Sequence, residues 1–100
     1  MKQFFTLNLA IEFHQGSQSL KLPTYLRDQF LRASSSVVLN LSEGSAKPTA
    51  ADRRKFYYIA LGSIRECQTI LLLHGQSGGP LFDRADFLGA CVYKLCVATK

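Results

Sequence analysis

Apolar residues recur along most of the chain at spacings of three and four, the period of one face of an α-helix, and no segment alternates for long with period two. Phe4, Leu7 and Ile11, with Phe5, Leu9 and Phe13 on an adjoining stripe, predict a first helix over about residues 2–18. Pro23 sits where a first helical turn tolerates proline. Leu26, Phe30, Ala33, Val37 and Leu41 then carry a second helix over about 23–43, with Gly44 as its left-handed cap. After a turn at Lys47 and Pro48, Thr49 is placed to cap a third helix over about 50–74, with Asp52 three residues on. Phe56, Ile59, Ser63, Cys67 and Ile70 read as its core stripe. The cluster Gly75, Gln76, Ser77, Gly78, Gly79, Pro80 breaks the pattern. Asp83 then reads as the cap of a fourth helix over about 83–98, with Asp86 at its third position and Phe82 and Phe87 spaced as a hydrophobic staple.

Four helices joined by three short connections predict an all-α fold, an antiparallel up-down-up-down four-helix bundle filling one domain over residues 1–100. A chain of this length has no room for a cofactor domain beside a substrate domain. Ser34, Ser35 and Ser36 in mid-helix allow a close neighbour, and their hydroxyls can bond back to carbonyls one turn earlier. Gln29, Arg32, Ser36, Asn40 and Glu43, at spacings of three, four, four and three, form one polar stripe beside the apolar face of the second helix. If the second and third helices fold back at residue 47, Arg32 comes opposite Glu66, and Glu43 opposite Arg53, Arg54 or Lys55. Such pairs would fix the register of the hairpin; the alternative is that the stripe lines a ligand site.

Composition changes the picture at the surface. The chain is 47% apolar but only 19% charged, below the usual one residue in about four, so four helices have little polar skin to share. From Phe87 to Ala98 every residue except Gly89 and Lys94 is apolar, and the third helix carries a second stripe at Tyr57, Leu61, Ile64 and Leu71. A helix apolar on two sides is buried on two sides, which predicts a homo-oligomer.

The charge that remains is basic: Lys+Arg 12 against Asp+Glu 7, a formal +5. Its densest cluster is Lys47 with Arg53, Arg54 and Lys55, broken only by Asp52. Cations at a helix start oppose the macrodipole. An anion bound by free helix N–H groups and arginine forks would explain them, so these four residues are the candidate nucleic-acid contacts. Phe56, Tyr57 and Tyr58 follow directly, and only exposed rings among them could stack on bases.

Catalysis is not expected. His14 and His74 have no serine or cysteine arranged with an acid, and no glycine-rich phosphate loop follows a strand. A two-metal carboxylate site needs Glu followed three residues on by His, whereas Glu12, Glu43 and Glu66 are followed there by Gln15, Ala46 and Thr69. No cofactor or metal is predicted, and Cys67, Cys91 and Cys96 read as reduced core thiols. The opening Lys2 and apolar run imitate a leader, but Asn8 and Glu12 interrupt it and it is too short to span a bilayer. A cytoplasmic protein without membrane contact is expected.

The stretch RASSSVVLNLSEGS, followed after a turn by RRKFYYIALGSIRECQTIL, resembles the four-helix-bundle family encoded by intervening sequences inside 23S ribosomal RNA genes. The likeness covers Leu26 to about Leu72. It rests on Arg32, Ser36, Asn40, Leu41, Glu43 and Gly44 in one helix and Phe56, Ile59, Ala60, Gly62, Ser63, Glu66 and Thr69 in the next. The resemblance implies a small antiparallel bundle often assembled as a ring of five. Accessory proteins of diversity-generating retroelements, similar in fold, bind nucleic acid through basic surface. Two functions fit: a non-enzymatic oligomer that binds RNA or DNA through basic patches, or a scaffold whose ligand is another protein and whose basic residues only solvate it.

Overall fold

The computed structural model describes residues 2–76 and 78–100, with side chains from Phe4 onward. These form helices α1 (Lys2–Gly16), α2 (Thr24–Ser45), α3 (Ala50–Leu73) and α4 (Pro80–Ala98), with a single 3-10 turn at Ser17–Ser19 and no strand among the described residues. The side chain of Lys2, read above as imitating a leader, and Ser77 of the glycine-rich loop lie outside the described residues. Each helix packs on two neighbours: α2 on α1 and α3, and α4 on α3 and α1. Around this ring Leu26, Phe30, Ala33, Val37 and Leu41 of α2 are all buried, as their spacing predicts. Phe30 meets Phe13 of α1 with ring centroids 5.9 Å apart.

Partners advance along one helix as they retreat along the next. Gln29 meets Glu66, Ser36 meets Ser63, and Gly44 abuts Tyr57 and Phe56. On the next seam Arg54 reaches Thr99 and Gln68 reaches Asp86. On the first, His14 meets Ser34 and Arg27 reaches the Gln18 carbonyl.

Gly44 is not a left-handed cap. It is helical and buried, and α2 ends one residue later, at Ser45, through tightened bonds from the Ala46 and Lys47 amides to the Glu43 and Gly44 carbonyls. The glycine is there for proximity: a Cβ at this position would lie 2.9 Å from the Tyr57 ring and 3.0 Å from the Phe56 Cβ. The left-handed glycine is Gly75, with φ 68°. There the Gln76 amide donates to the Leu71 carbonyl at 2.9 Å and the Gly75 amide to Leu72 at 3.1 Å, a Schellman closure of α3.

Helix α4 starts three residues before Asp83, because Pro80 occupies its first position after an extended Gly79. Proline's preset φ and missing N–H suit that position, so a residue read as a breaker is the starter, and Asp83 lies inside the first turn. Phe82 is accordingly inside the helix and cannot form the staple. Thr49 caps α3 as expected, its Oγ1 accepting from the Asp52 amide at 3.2 Å.

Two stripes differ from their prediction. In α1 the buried line is Thr6, Ala10, Phe13 and Ser17, while Phe4 and Phe5 are exposed. Small residues let this helix approach closely, and the Ser17 hydroxyl is satisfied by donating to the Phe13 carbonyl at 2.7 Å. In α3 the fully buried line is Tyr57, Ala60, Ile64, Cys67 and Leu71; Phe56 is half-buried and Ile59 exposed. The core draws on both stripes: Cys67 and Ile70 are buried as expected, Tyr57, Ile64 and Leu71 of the second stripe join them, and Ile59 faces outward.

Candidate nucleic-acid interface

The four basic residues gather at the end of the bundle where α2 and α4 finish and α3 begins. That arrangement answers the dipole objection, because the arginines serve the carbonyl ends of neighbouring segments rather than the head of their own helix. Arg53 Nη1 donates to the Lys47 and Pro48 carbonyls at 3.0 and 3.1 Å, closing the α2–α3 turn. Arg54 Nη1 donates to the Thr99 carbonyl at 2.9 Å, holding the end of α4. Lys47 Nζ lies 3.5 Å from Glu43 and 5.1 Å from the Phe56 ring centroid. Lys55 is exposed and has no partner.

A guanidinium carries five N–H donors, and each arginine uses one nitrogen here. Both side chains are only half-exposed, so their remaining donors are held in place. Fixed forks of this kind suit phosphate oxygens. Tyr57 and Tyr58 divide sharply. Tyr57 is 3% exposed, and burial pushes its phenol up against the opposing effect of the Arg53 charge; Tyr58 is 47% exposed.

The polar stripe meets α3 through different partners from those predicted. Gln29 Nε2 donates to Glu66 Oε2 at 3.3 Å, and Arg32 is exposed without a partner. Glu43 pairs with Lys47 one turn on, the one ion pair among the described residues. Arg32 and Glu43 lie further round α2 towards solvent than Gln29, Ser36 and Asn40, so the charged members stay wet and the neutral ones make the contact. Asn40 Nδ2 donates to the Ser36 carbonyl and hydroxyl at 2.9 and 3.0 Å. The Ser63 hydroxyl donates to the Ile59 carbonyl, so Ser36 donates to Ser63 across 2.9 Å. These hydrogen bonds tie α2 to α3 at Gln29 and Ser36.

The same reasoning fixes His14. Ser34 donates to the Leu31 carbonyl at 3.1 Å, so His14 Nδ1 donates to Ser34 at 2.6 Å and Nε2 accepts from the Gln18 amide at 3.2 Å. Among the described residues no group of three or more His, Cys, Asp or Glu converges on a common point.

The cysteines are free. Burial first, and then the Glu66 charge, pushes the Cys67 thiol up to about 12, and burial pushes Cys96 up to about 11. Cys91 is half-exposed. Alkylation of native protein is therefore expected at Cys91 first, with Cys67 and Cys96 modified only on unfolding, as peptide mapping would report. Stability is also expected to fall as pH rises from about 9 towards 12. The unfolded thiols release protons in that window while the folded ones keep theirs, so deprotonation favours the unfolded chain. Melting temperatures across that range check the sign.

No described helix is long and apolar enough to cross a membrane. A protein-family model described as 23S rRNA-intervening sequence protein matches residues 6–79, which runs from α1 through α3 and stops just before α4. No curated protein and no solved structure matches the chain.

Proposed function

The chain belongs to the 23S rRNA-intervening sequence protein family, and from that premise we propose that it is a non-enzymatic, oligomeric, up-down-up-down bundle that binds RNA or DNA. The observation that carries binding is the pair of anchored arginines: Arg53 and Arg54 are tied by one nitrogen each to main-chain carbonyls, beside Lys47 and the free Lys55. Preorganised guanidinium groups lose little freedom when a phosphate arrives. Antiparallel order is supported by the falling partner numbers along each seam.

Assembly, with a ring of five favoured by the resemblance, is supported by apolar side chains left in water: Phe4 at 61% exposure, Leu73 at 72% and Phe87 at 55%. A cleft of about 340 Å³ between α1 and α4, lined by Leu9, Phe13, Phe87 and Leu88 with Glu12 and Arg84, adds apolar surface beside Phe87. The same surface favours the second reading, a scaffold for a protein ligand. The assembly works in the cytoplasm.

A gel shift at low salt, on protein whose light-scattering mass is a multiple of 11.1 kDa, tests the proposal. Binding is expected to weaken steeply with salt, the slope falling by about one for each phosphate contact removed. Lys55→Glu is the clean charge reversal, because Arg53 and Arg54 also hold the fold together. Assembled protein that shifts neither RNA nor DNA would leave the scaffold reading in place of this one.

A further inference from the structure

Resting on that reading, we infer that the ligand is single-stranded and that its bases stack on Tyr58 and Tyr93, two tyrosines on the outer α3–α4 seam. Tyr58 is 47% exposed and Tyr93 51%, and neither has a partner among the described residues. Tyr58 lies four residues after Arg54 and seven before Arg65, both of which reach across to α4. Tyr93 lies four residues after Gly89, which lies under Arg65, and seven after Asp86, which accepts from Gln68. The helical period therefore places each ring on the side of its helix that faces the other, and the register separates them by about one turn along the seam.

Gly62 gives the second observation. A glycine in a helix interior destabilises the helix relative to alanine, and a Cβ here would meet nothing within 4 Å, so packing within the chain does not require it. Side chains on a helix lean back over the preceding turn, which means that residue 62 would cover Tyr58. With glycine there, one side of the Tyr58 ring is left open.

Charge complements this opening. Lys55 stands three residues before Tyr58 and Lys94 directly after Tyr93, both exposed and unpaired, while Asp86, the acid on this seam, is held by Gln68. A strand whose bases lie on the rings would bring its phosphates past these lysines towards the arginine head of α3. Paired bases in a duplex are already stacked and offer the rings nothing, and because every base has a π-face, the site favours single strands without reading sequence.

Fluorescence anisotropy at low salt with labelled oligouridylate, oligothymidylate and a duplex of equal length tests this, each protein being checked for mass and helicity. Both single strands are expected to bind more tightly than the duplex. Tyr58→Phe and Tyr93→Phe keep that affinity. Tyr58→Ala and Tyr93→Ala each lose at least about fivefold on single strands and little on the duplex, and Gly62→Leu loses affinity by covering the ring. Equal binding of duplex and single strand, with alanine variants unchanged but Lys55→Glu weakened, overturns the stacking site and leaves the nucleic-acid reading standing. Alanine variants whose mass drops to that of one chain also overturn it, since the rings would then belong to a subunit contact. Wild-type protein that binds none of the three probes overturns the nucleic-acid reading itself.

Discussion

Gly44→Val is expected to destabilise the bundle by about 3 kcal/mol, the upper part of the range for overpacking a filled interior. Even one carbon at this position comes within 2.9 Å of the Tyr57 ring and 3.0 Å of the Phe56 Cβ. The ring cannot swing into solvent, because Tyr57 is 3% exposed, and the Phe56 Cβ moves only with the backbone of α3. The α2–α3 seam must open at the turn held by Arg53. In a domain of this length each kcal/mol is worth about 4–8 °C, so the melting temperature should fall by more than about 10 °C. Gly62→Ala on the same hairpin is the opposite case: with open space around its Cβ, the gain in helix propensity should raise stability by up to about 1 kcal/mol. Thermal or urea melts of the two variants read both signs.

Phe30→Ala is expected to cost about 3–5 kcal/mol, a large part of the roughly 5–15 kcal/mol that holds a typical domain. Phe30 is fully buried, packs on Phe13 of α1, and lies where Cys67 of α3 points its thiol at the Phe30 carbonyl across 3.9 Å. Helices α1, α2 and α3 thus meet around this fully buried residue, which leaves the cavity little room to close. Phe30→Leu retains most of the volume and should recover more than half of the loss; chemical denaturation midpoints with an unchanged slope would confirm that only stability has moved.

Helix α2 was legible because Leu26, Phe30, Ala33, Val37 and Leu41 form its one long apolar stripe, while Tyr25, Leu31, Val38 and Leu39 fall off it. Helices α1 and α3 each carry two apolar stripes, and spacing alone cannot say which is turned inward. Packing turned inward lines that run through Ala10 and Ala60, small residues on neither stripe, and sent Phe4 and Ile59 outward. Glycine posed the same difficulty. Gly44 and Gly75 both stand at the end of an apolar run, but one is required by a neighbour's ring and the other by a left-handed φ.

The basic cluster was visible as a run of like charge, but its internal duties were not. Arg54 holds a carbonyl 45 residues away at Thr99, a contact no local pattern encodes. The polar stripe was placed correctly beside α3 while its partners were misassigned, because charge matching favoured Arg32 and Glu43 over the neutral Gln29 and Ser36 that make the contact.

The pairing of Glu43 with Lys47, the one ion pair among the described residues, has a practical consequence. An exposed pair four residues apart on a helix contributes only a few tenths of a kcal/mol, so ionic strength has almost nothing to screen inside this scaffold. The polyanion proposed as ligand, by contrast, would be held by the very forces that counterions weaken. Raising salt should therefore strip the ligand from an intact protein, and a melting curve that stays still while binding vanishes would separate cohesion from recognition in one titration.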